Sequence, residues 1–186
     1  RRAFTRRSYE LIKVLLIDPP ELFLRGDGTT RQIQPLGLAY VGAAIDDVAT
    51  VRFLLPDTRS YVGLDPWGEL LAAVAAQAPD LIAFTAVTAT FPTAARFAAE
   101  IKARWPKLPI VLGGVHASTM PEQALRDAPA VDFVVRGEGE APMRELVAAF
   151  DSGQIRHPET IAGLQWLDNG ELVRAPPLPR LNRSSP

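Results

Sequence analysis

The 186-residue sequence contains no cysteine. That absence removes a disulfide framework, a thiolate zinc site, a thiol nucleophile and any iron–sulfur cluster held by this chain. Histidine is nearly as scarce. His116 and His157 stand far apart, which argues against a multi-histidine metal centre. Charge of one sign is lacking too: 20 basic residues against 21 acidic give a net charge of −1. Such a balance leaves no electrostatic footprint for nucleic acid or an anionic membrane. No apolar run approaches the ~18 residues that a membrane span needs. The basic start, Arg1-Arg2-Ala3-Phe4-Thr5-Arg6-Arg7, has no hydrophobic signal region behind it. Residues 1–10 are therefore expected to be a solvated, disordered tail, and the expected compartment is the cytoplasm. What is present is ordinary globular composition, 47% hydrophobic and 22% charged. The length suits one domain, able to bury a core, plus a short extension.

Strands and helices alternate along the chain. Ile12–Ile17 is a short run rich in branched residues, ended by Asp18-Pro19-Pro20, and reads as a buried strand. A polar loop to about Gln34 follows, long for its type. Pro35 opens a helix at a position where its missing N–H costs nothing. Val51–Leu55 is the second strand, and Asp65-Pro66 caps a helix to Gln77. Leu81–Thr85 is the third strand, followed by a helix from about Pro92 to Arg104. Ile110–Leu112 is the fourth, with a short helix at Pro121–Asp127. Val131–Val135 is the fifth, with a helix at Pro142–Phe150. Five such units predict an α/β fold: a flavodoxin-like (Rossmann-like), doubly wound five-stranded parallel sheet of order 2-1-3-4-5. Residues 11–152 form this domain. In 153–186, Ile161–Leu167 and Glu171–Arg174 flank Asp168-Asn169-Gly170, a strong hairpin signal. The Pro-rich remainder, Pro176 to Pro186, reads as a linker.

In an open α/β sheet, ligands bind outside the carboxyl ends of the strands. The loops there are 18–34, 85–91, 113–119 and 136–140, and three of them are small, hydroxyl-bearing and poor in charge. Gly113 and Gly114 let a ligand approach the backbone, while Thr85, Thr88 and Ser118 offer hydroxyls. Gly137 and Gly139 flank Glu138 ahead of a helix. Tight turns need glycine and threonine regardless, so one such loop says little; several at one sheet edge point to a bulky, neutral-to-polar ligand. His116 reads as a buried imidazole bonded to backbone, as a ligand contact, or as a metal ligand. Glu138 and Glu140 read as polar residues favoured by the helix dipole and not as an acid/base pair. A phosphoacceptor receiver wants aspartate ending the third strand and lysine ending the fifth, where this chain has Thr85 and Arg136. Neither a Gly-x-Gly-x-x-Gly fingerprint after the first strand nor a Walker loop is present.

One ordered set of motifs goes further: Asp18-Pro19-Pro20, Pro35-Leu36-Gly37-Leu38-Ala39-Tyr40, Pro79-Asp80-Leu81 with Thr85-Ala86-Val87-Thr88, Leu112-Gly113-Gly114-Val115-His116-Ala117-Ser118, and Val135-Arg136-Gly137-Glu138-Gly139-Glu140. The set resembles the N-terminal cobalamin-binding domain of B12-dependent radical S-adenosylmethionine (SAM) enzymes. That group includes class B methyltransferases and the anaerobic magnesium-protoporphyrin IX monomethyl ester cyclases. The resemblance covers about residues 12–150, and the hairpin resembles the connector to a radical SAM domain. It implies strand ends that carry a corrin, with the nucleotide tail beside the sheet. The implied contacts are Pro20, Leu22, Phe23, Pro35, Leu36, Gly37, Thr85, Thr88, Phe91, Gly113, Gly114, His116, Ser118, Gly137, Glu138 and Gly139. The partners it implies are the corrinoid and a downstream radical SAM domain. SAM and a [4Fe-4S] cluster would belong to that domain, since the CxxxCxxC motif needs cysteines this chain lacks; no catalytic or metal-ligating residue is assigned here. Classical B12 carriers use Asp-x-His-x-x-Gly to ligate cobalt. The matching positions are Asp18, Pro20 and Phe23, so the resemblance implies cobalamin with its base detached and no protein histidine. Two other readings stay open: a non-catalytic α/β docking module without cofactor, and a flavin- or nucleotide-binding domain using Gly26–Thr30.

Overall fold

The computed structural model describes residues 11–19, 35–55, 66–151 and 154–179. Expectations for residues 1–10, for Pro20, Leu22 and Phe23, for the Gly26–Thr30 loop and for 180–186 lie outside the described residues. The strands are β1 (Lys13–Ile17), β2 (Thr50–Leu54), β3 (Leu81–Thr85), β4 (Ile110–Gly113), β5 (Phe133–Val135), β6 (Phe150–Asp151), β7 (Gln154–Ile155), β8 (Leu164–Asp168) and β9 (Glu171–Arg174). The helices are α1 (Leu36–Ile45), α2 (Pro66–Gln77), α3 (Phe91–Arg104), α4 (Val115–Thr119), α5 (Pro121–Asp127) and α6 (Glu140–Ala149), with a 3-10 turn at Pro158–Thr160.

The sheet order is β2-β1-β3-β4-β5-β8-β9, and the first five strands are parallel. This is the expected doubly wound order. The hairpin continues the same sheet: β8 runs antiparallel to β5, with Val135 opposite Leu164. It thereby covers an edge that β5 would otherwise leave open. Asn169 (φ +50°) and Gly170 (φ +84°) supply the two positive φ angles of a primed hairpin turn. Phe150, expected to end the helix from Pro142, instead opens β6, and neither the β6–β7 pair nor the 3-10 turn has a signature in the sequence.

Side chains alternate across the sheet with period two. Leu15, Ile17, Ile82, Phe84, Ile110, Leu112 and Val134 share one core with residues of α2, α3 and α5. Val14, Leu16, Leu81, Ala83, Val111 and Val135 share the other with residues of α1 and α6. Because β1, β3 and β4 are covered on both faces, they read as unbroken apolar runs. At the edge, Arg52 and Phe53 of β2 are exposed. Carboxylate-to-amide bonds register the amino ends of the strands. Asp80 accepts from the Lys13 amide at 2.8 Å, and Asp132 accepts from the Ile110 amide at 2.7 Å. Lys102 compensates Asp132 at 2.8 Å.

Two boundaries shift for local reasons. β5 starts at Phe133 because the Val131 amide closes a turn onto the Ala128 carbonyl. α6 starts at Glu140, which puts Pro142 in its first turn, where no N–H is needed. Phe97 anchors the larger core. It is fully buried, packs edge-on against Phe84 at 5.7 Å between centroids, and lies 6.0 Å from Trp67. Replacing Phe97 with Ala is expected to cost about 3–5 kcal/mol, seen as a lowered urea midpoint at unchanged slope. An unchanged midpoint would contradict this packing.

Candidate functional site

The carboxyl ends of β3, β4 and β5 meet at one rim. Register places Thr85 beside Gly113. The residue after it, Gly114, has φ +91° and ψ −176°, a conformation reserved for glycine. A Cβ there would fall 2.7 Å from Ala86 O, 2.8 Å from Ala86 N and 2.8 Å from Thr85 Oγ1. The two loops therefore touch main chain to main chain. Ala86 N donates to Gly113 O (3.1 Å), and His116 N donates to Ala86 O (3.1 Å). The space freed by Gly114 is filled by the protein itself, whereas a Cβ on Gly113 would meet only Phe84 O at 3.8 Å. Beyond this contact the expected loop 113–119 turns into the short helix α4. Ser118, on α4, accepts from the Gly137 amide at 3.0 Å, which ties α4 to the loop after β5.

A cavity of about 540 Å³ opens at this rim and runs in beside α1 and α6. That volume is typical of small-molecule sites. Its buried lining is apolar: Leu38, Ala83, Val111, Val135 and Met143. Its outer lining includes the exposed Tyr40, Val87 and Val115. The two helices approach closely at the mouth, where a Cβ on Gly139 would lie 2.9 Å from Val41 Cγ2. A bidentate pair holds them farther along: Arg144 Nη1 and Nη2 donate to Asp47 at 2.6 and 2.7 Å, and Nη1 also reaches Ala44 O at 2.7 Å. Hydrogen bonds from Arg144 hold the Asp47 carboxyl below its ordinary pKa.

Of the expected contacts, Gly37, Thr85, Gly113, Gly114, Ser118, Gly137, Glu138 and Gly139 line this cavity. Pro35 and Leu36 sit at the start of α1 but not in the lining, with Leu36 65% exposed. Thr88, Phe91 and His116 form a separate cluster. His116 is 4% exposed, and its ring stacks on Phe91 at 4.0 Å between centroids with 24° between planes. Its Nδ1 lies 3.3 Å from Thr88 Oγ1, so its side-chain partner is a hydroxyl and not a backbone group. Burial lowers the pKa of His116 below its ordinary value, which keeps the ring neutral. Tyr40 and Val135, which stand in the quoted motifs but not among the implied contacts, also line the cavity, as do Val41, Ala83, Val111 and Met143, which no motif contains. Ala83, Val111, Val135 and Met143 are buried like any core residue, so their sequence pattern does not distinguish them as lining, whereas Tyr40 is exposed at the mouth. Among the described residues, no group of three or more His, Asp or Glu could hold a metal ion, and no helix is long and apolar enough to cross a membrane.

Several known proteins are similar to this chain. An uncharacterised methyltransferase of Pyrococcus horikoshii is 33% identical over 174 residues, covering 91% of this chain and 36% of that protein. The anaerobic magnesium-protoporphyrin IX monomethyl ester cyclase of Synechocystis is 27% identical over 172 residues, covering 91% and 34%. A cobalamin-dependent radical SAM methyltransferase of Streptomyces tokunonensis is 32% identical over 107 residues, covering 56% and 15%. The chain thus spans about a third of the length of the first two relatives. In three dimensions it shares the fold of a cobalamin-binding protein from Desulfitobacterium hafniense: TM-score 0.50, 18% identity, 70% of this chain and 57% of that one. The family model described as the B12 binding domain matches residues 29–147, more than half of the sequence. On that match, the chain belongs to the B12-binding domain family.

Proposed function

We propose that this B12-binding domain holds cobalamin across the carboxyl rim of its sheet, with the nucleotide base detached from cobalt and no imidazole supplied by the protein. In this reading it is the cofactor-holding part of a radical SAM enzyme that carries out methyl transfer or oxidative cyclisation on a small molecule. Bound cobalamin supplies a cobalt centre for methyl transfer or radical chemistry. The observation that carries the reading is the shape of the site: a glycine-rimmed mouth that continues into an apolar slot beside α1 and α6.

The residues present fit the group. A corrin is broad, with largely apolar faces, and it needs a rim without bulky side chains. A Cβ on Gly37 would meet nothing within 4 Å, and Gly113 is almost as open. The exposed Tyr40, Val87 and Val115 give the rim an apolar surface that water would otherwise cover. Thr85 and Ser118 offer hydroxyls to amide side groups. The slot lined by Leu38, Val111, Val135 and Met143 suits an aromatic base taken out of water.

Neither imidazole lines the cavity, which supports the reading. His116 is packed under Phe91 and bonded to Thr88, outside the cavity lining. His157 stands on the surface in a left-handed turn, 3.2 Å from Glu159. The position where a classical carrier has its histidine is Pro20. Because this chain has no cysteine, its own residues hold no iron–sulfur cluster; SAM chemistry and the substrate are assigned to a radical SAM domain of the parent enzyme.

After incubation with hydroxocobalamin and gel filtration, the chain is expected to retain a corrinoid whose absorbance is that of the detached-base form. Elution without corrinoid, or with a histidine-ligated spectrum, would contradict the proposal. Gly113→Val places a branched side chain at the open rim and is expected to weaken hydroxocobalamin binding by about tenfold or more, or ~1.4 kcal/mol. Its urea midpoint should stay close to that of the parent, and parent-like affinity would move the site elsewhere. His116→Gln should leave the corrinoid spectrum unchanged. Because the folded pKa of His116 is depressed, the unfolded chain binds the extra proton, so stability is full above the ordinary value of about 6.5. It is lost as pH falls below that. The parent's urea midpoint should therefore drop from about pH 7 to about pH 5 more than that of His116→Gln; parallel curves would count against a neutral buried ring.

A further inference from the structure

The segment after β9 carries no strand or helix pattern and, from sequence, reads as a linker. In the structure it is tied down. Ala175 N donates to Leu164 O at 2.9 Å, and Gly163 N donates to Pro176 O at 2.7 Å. Leu178 is half-buried over two glycines with positive φ, Gly163 (+82°) and Gly137 (+89°). A Cβ on Gly163 would lie 3.0 Å from Leu178 Cγ, and one on Gly137 would lie 3.2 Å from Leu178 Cδ1. The seat exists because both positions lack side chains. Gly163 is bound on its other side as well, since its carbonyl accepts from the Arg136 amide at 2.9 Å. Gly137 belongs to the cavity rim together with Glu138 and Gly139, and its amide bonds to Ser118 Oγ. An unbroken set of contacts therefore runs from Pro176 and Leu178 to the mouth of the cavity.

We infer that Leu178 is a positioning residue: seated on Gly137 and Gly163, it holds the Gly137–Gly139 rim in its binding shape and couples the seating of the 175–179 strap to occupancy of the cavity. The inference rests on the cofactor reading above and adds to it a route by which the chain after β9 acts on the site. Prolines on both sides, Pro177 and Pro179, fix φ and leave little slack. A pull on the chain after Pro179 is thus passed to Leu178 and not absorbed before it. The coupling is reciprocal. Whatever the seated strap adds to cofactor affinity, a bound cofactor adds to the seating of the strap.

The test uses the full 186-residue chain, hydroxocobalamin as the probe, and two variants. Leu178→Ala is expected to weaken hydroxocobalamin binding about fivefold or more, and Leu178→Met, which refills the seat, to restore it. Backbone amide exchange supplies a second readout. Exchange at Gly163 and Arg136 should speed up in Leu178→Ala without corrinoid. In the parent it should slow on adding hydroxocobalamin, a response that a purely structural leucine would not produce. Equal affinity of the parent and both variants, or Gly163 exchange indifferent to hydroxocobalamin, overturns the coupling and leaves the cofactor reading standing. A parent chain that retains no hydroxocobalamin overturns both.

Discussion

At Gly114 the loop after β4 lies directly on the loop after β3, and the shape of the rim follows from that contact. Any side chain there would strike Ala86 and Thr85. With none, the His116 amide reaches the Ala86 carbonyl and α4 starts at once. α4 then presents Ser118 to Gly137, so three successive strand ends are held at one level. The constraint is steric and conformational together: the backbone angles exclude other residues, and the space excludes even a methyl group. Among the described glycines of the cavity lining, Gly113 and Gly37 are the ones where a Cβ would be tolerated and which leave room for something foreign.

The slot below that rim lies beside two helices, α1 and α6. α1 and α6 cover the same face of the sheet, meet at Gly139 and Val41, and are held together by Arg144 and Asp47. That ion pair is solvent-exposed and adds little to stability. Its bidentate geometry matters more for fixing how the two walls stand relative to each other. The buried part of the lining is apolar on both helices and on the strands between them, while Glu138 and Glu140 stand at the mouth, so a ligand part that reaches the inner slot loses water without gaining partners of charge there. A neutral aromatic group suits such a slot, and a bare phosphate does not.

Much of this was legible in the sequence. The strands over residues 12–17, 81–85 and 110–113 declare themselves as apolar runs, because burial on both faces leaves no polar alternation. Asn169-Gly170 declares the hairpin, because both positions take positive φ. The sheet edge that the hairpin would choose was not legible, since pairing with β5 depends on which edge is left open. α4 was hidden because Val-His-Ala-Ser-Thr has weak helix propensity and is helical through its neighbours. His116 stands in the Leu112–Ser118 motif, but its side chain packs on Phe91 and Thr88, outside the cavity lining. The inner lining of the cavity was invisible for the opposite reason: Val111, Val135 and Met143 follow the same periodicity as any core residue. The strap at Leu178 left no pattern because its binding seat is made of absent side chains.

The central claim is the proposal that cobalamin held by this chain receives no imidazole, neither from the protein nor from its own base. The most direct measurement is the electron paramagnetic resonance spectrum of the bound cofactor after one-electron reduction to cobalt(II). The account predicts cobalt hyperfine lines without further splitting from an axial nitrogen. A triplet splitting on those lines, from either a protein histidine or the cofactor's own base, would contradict it.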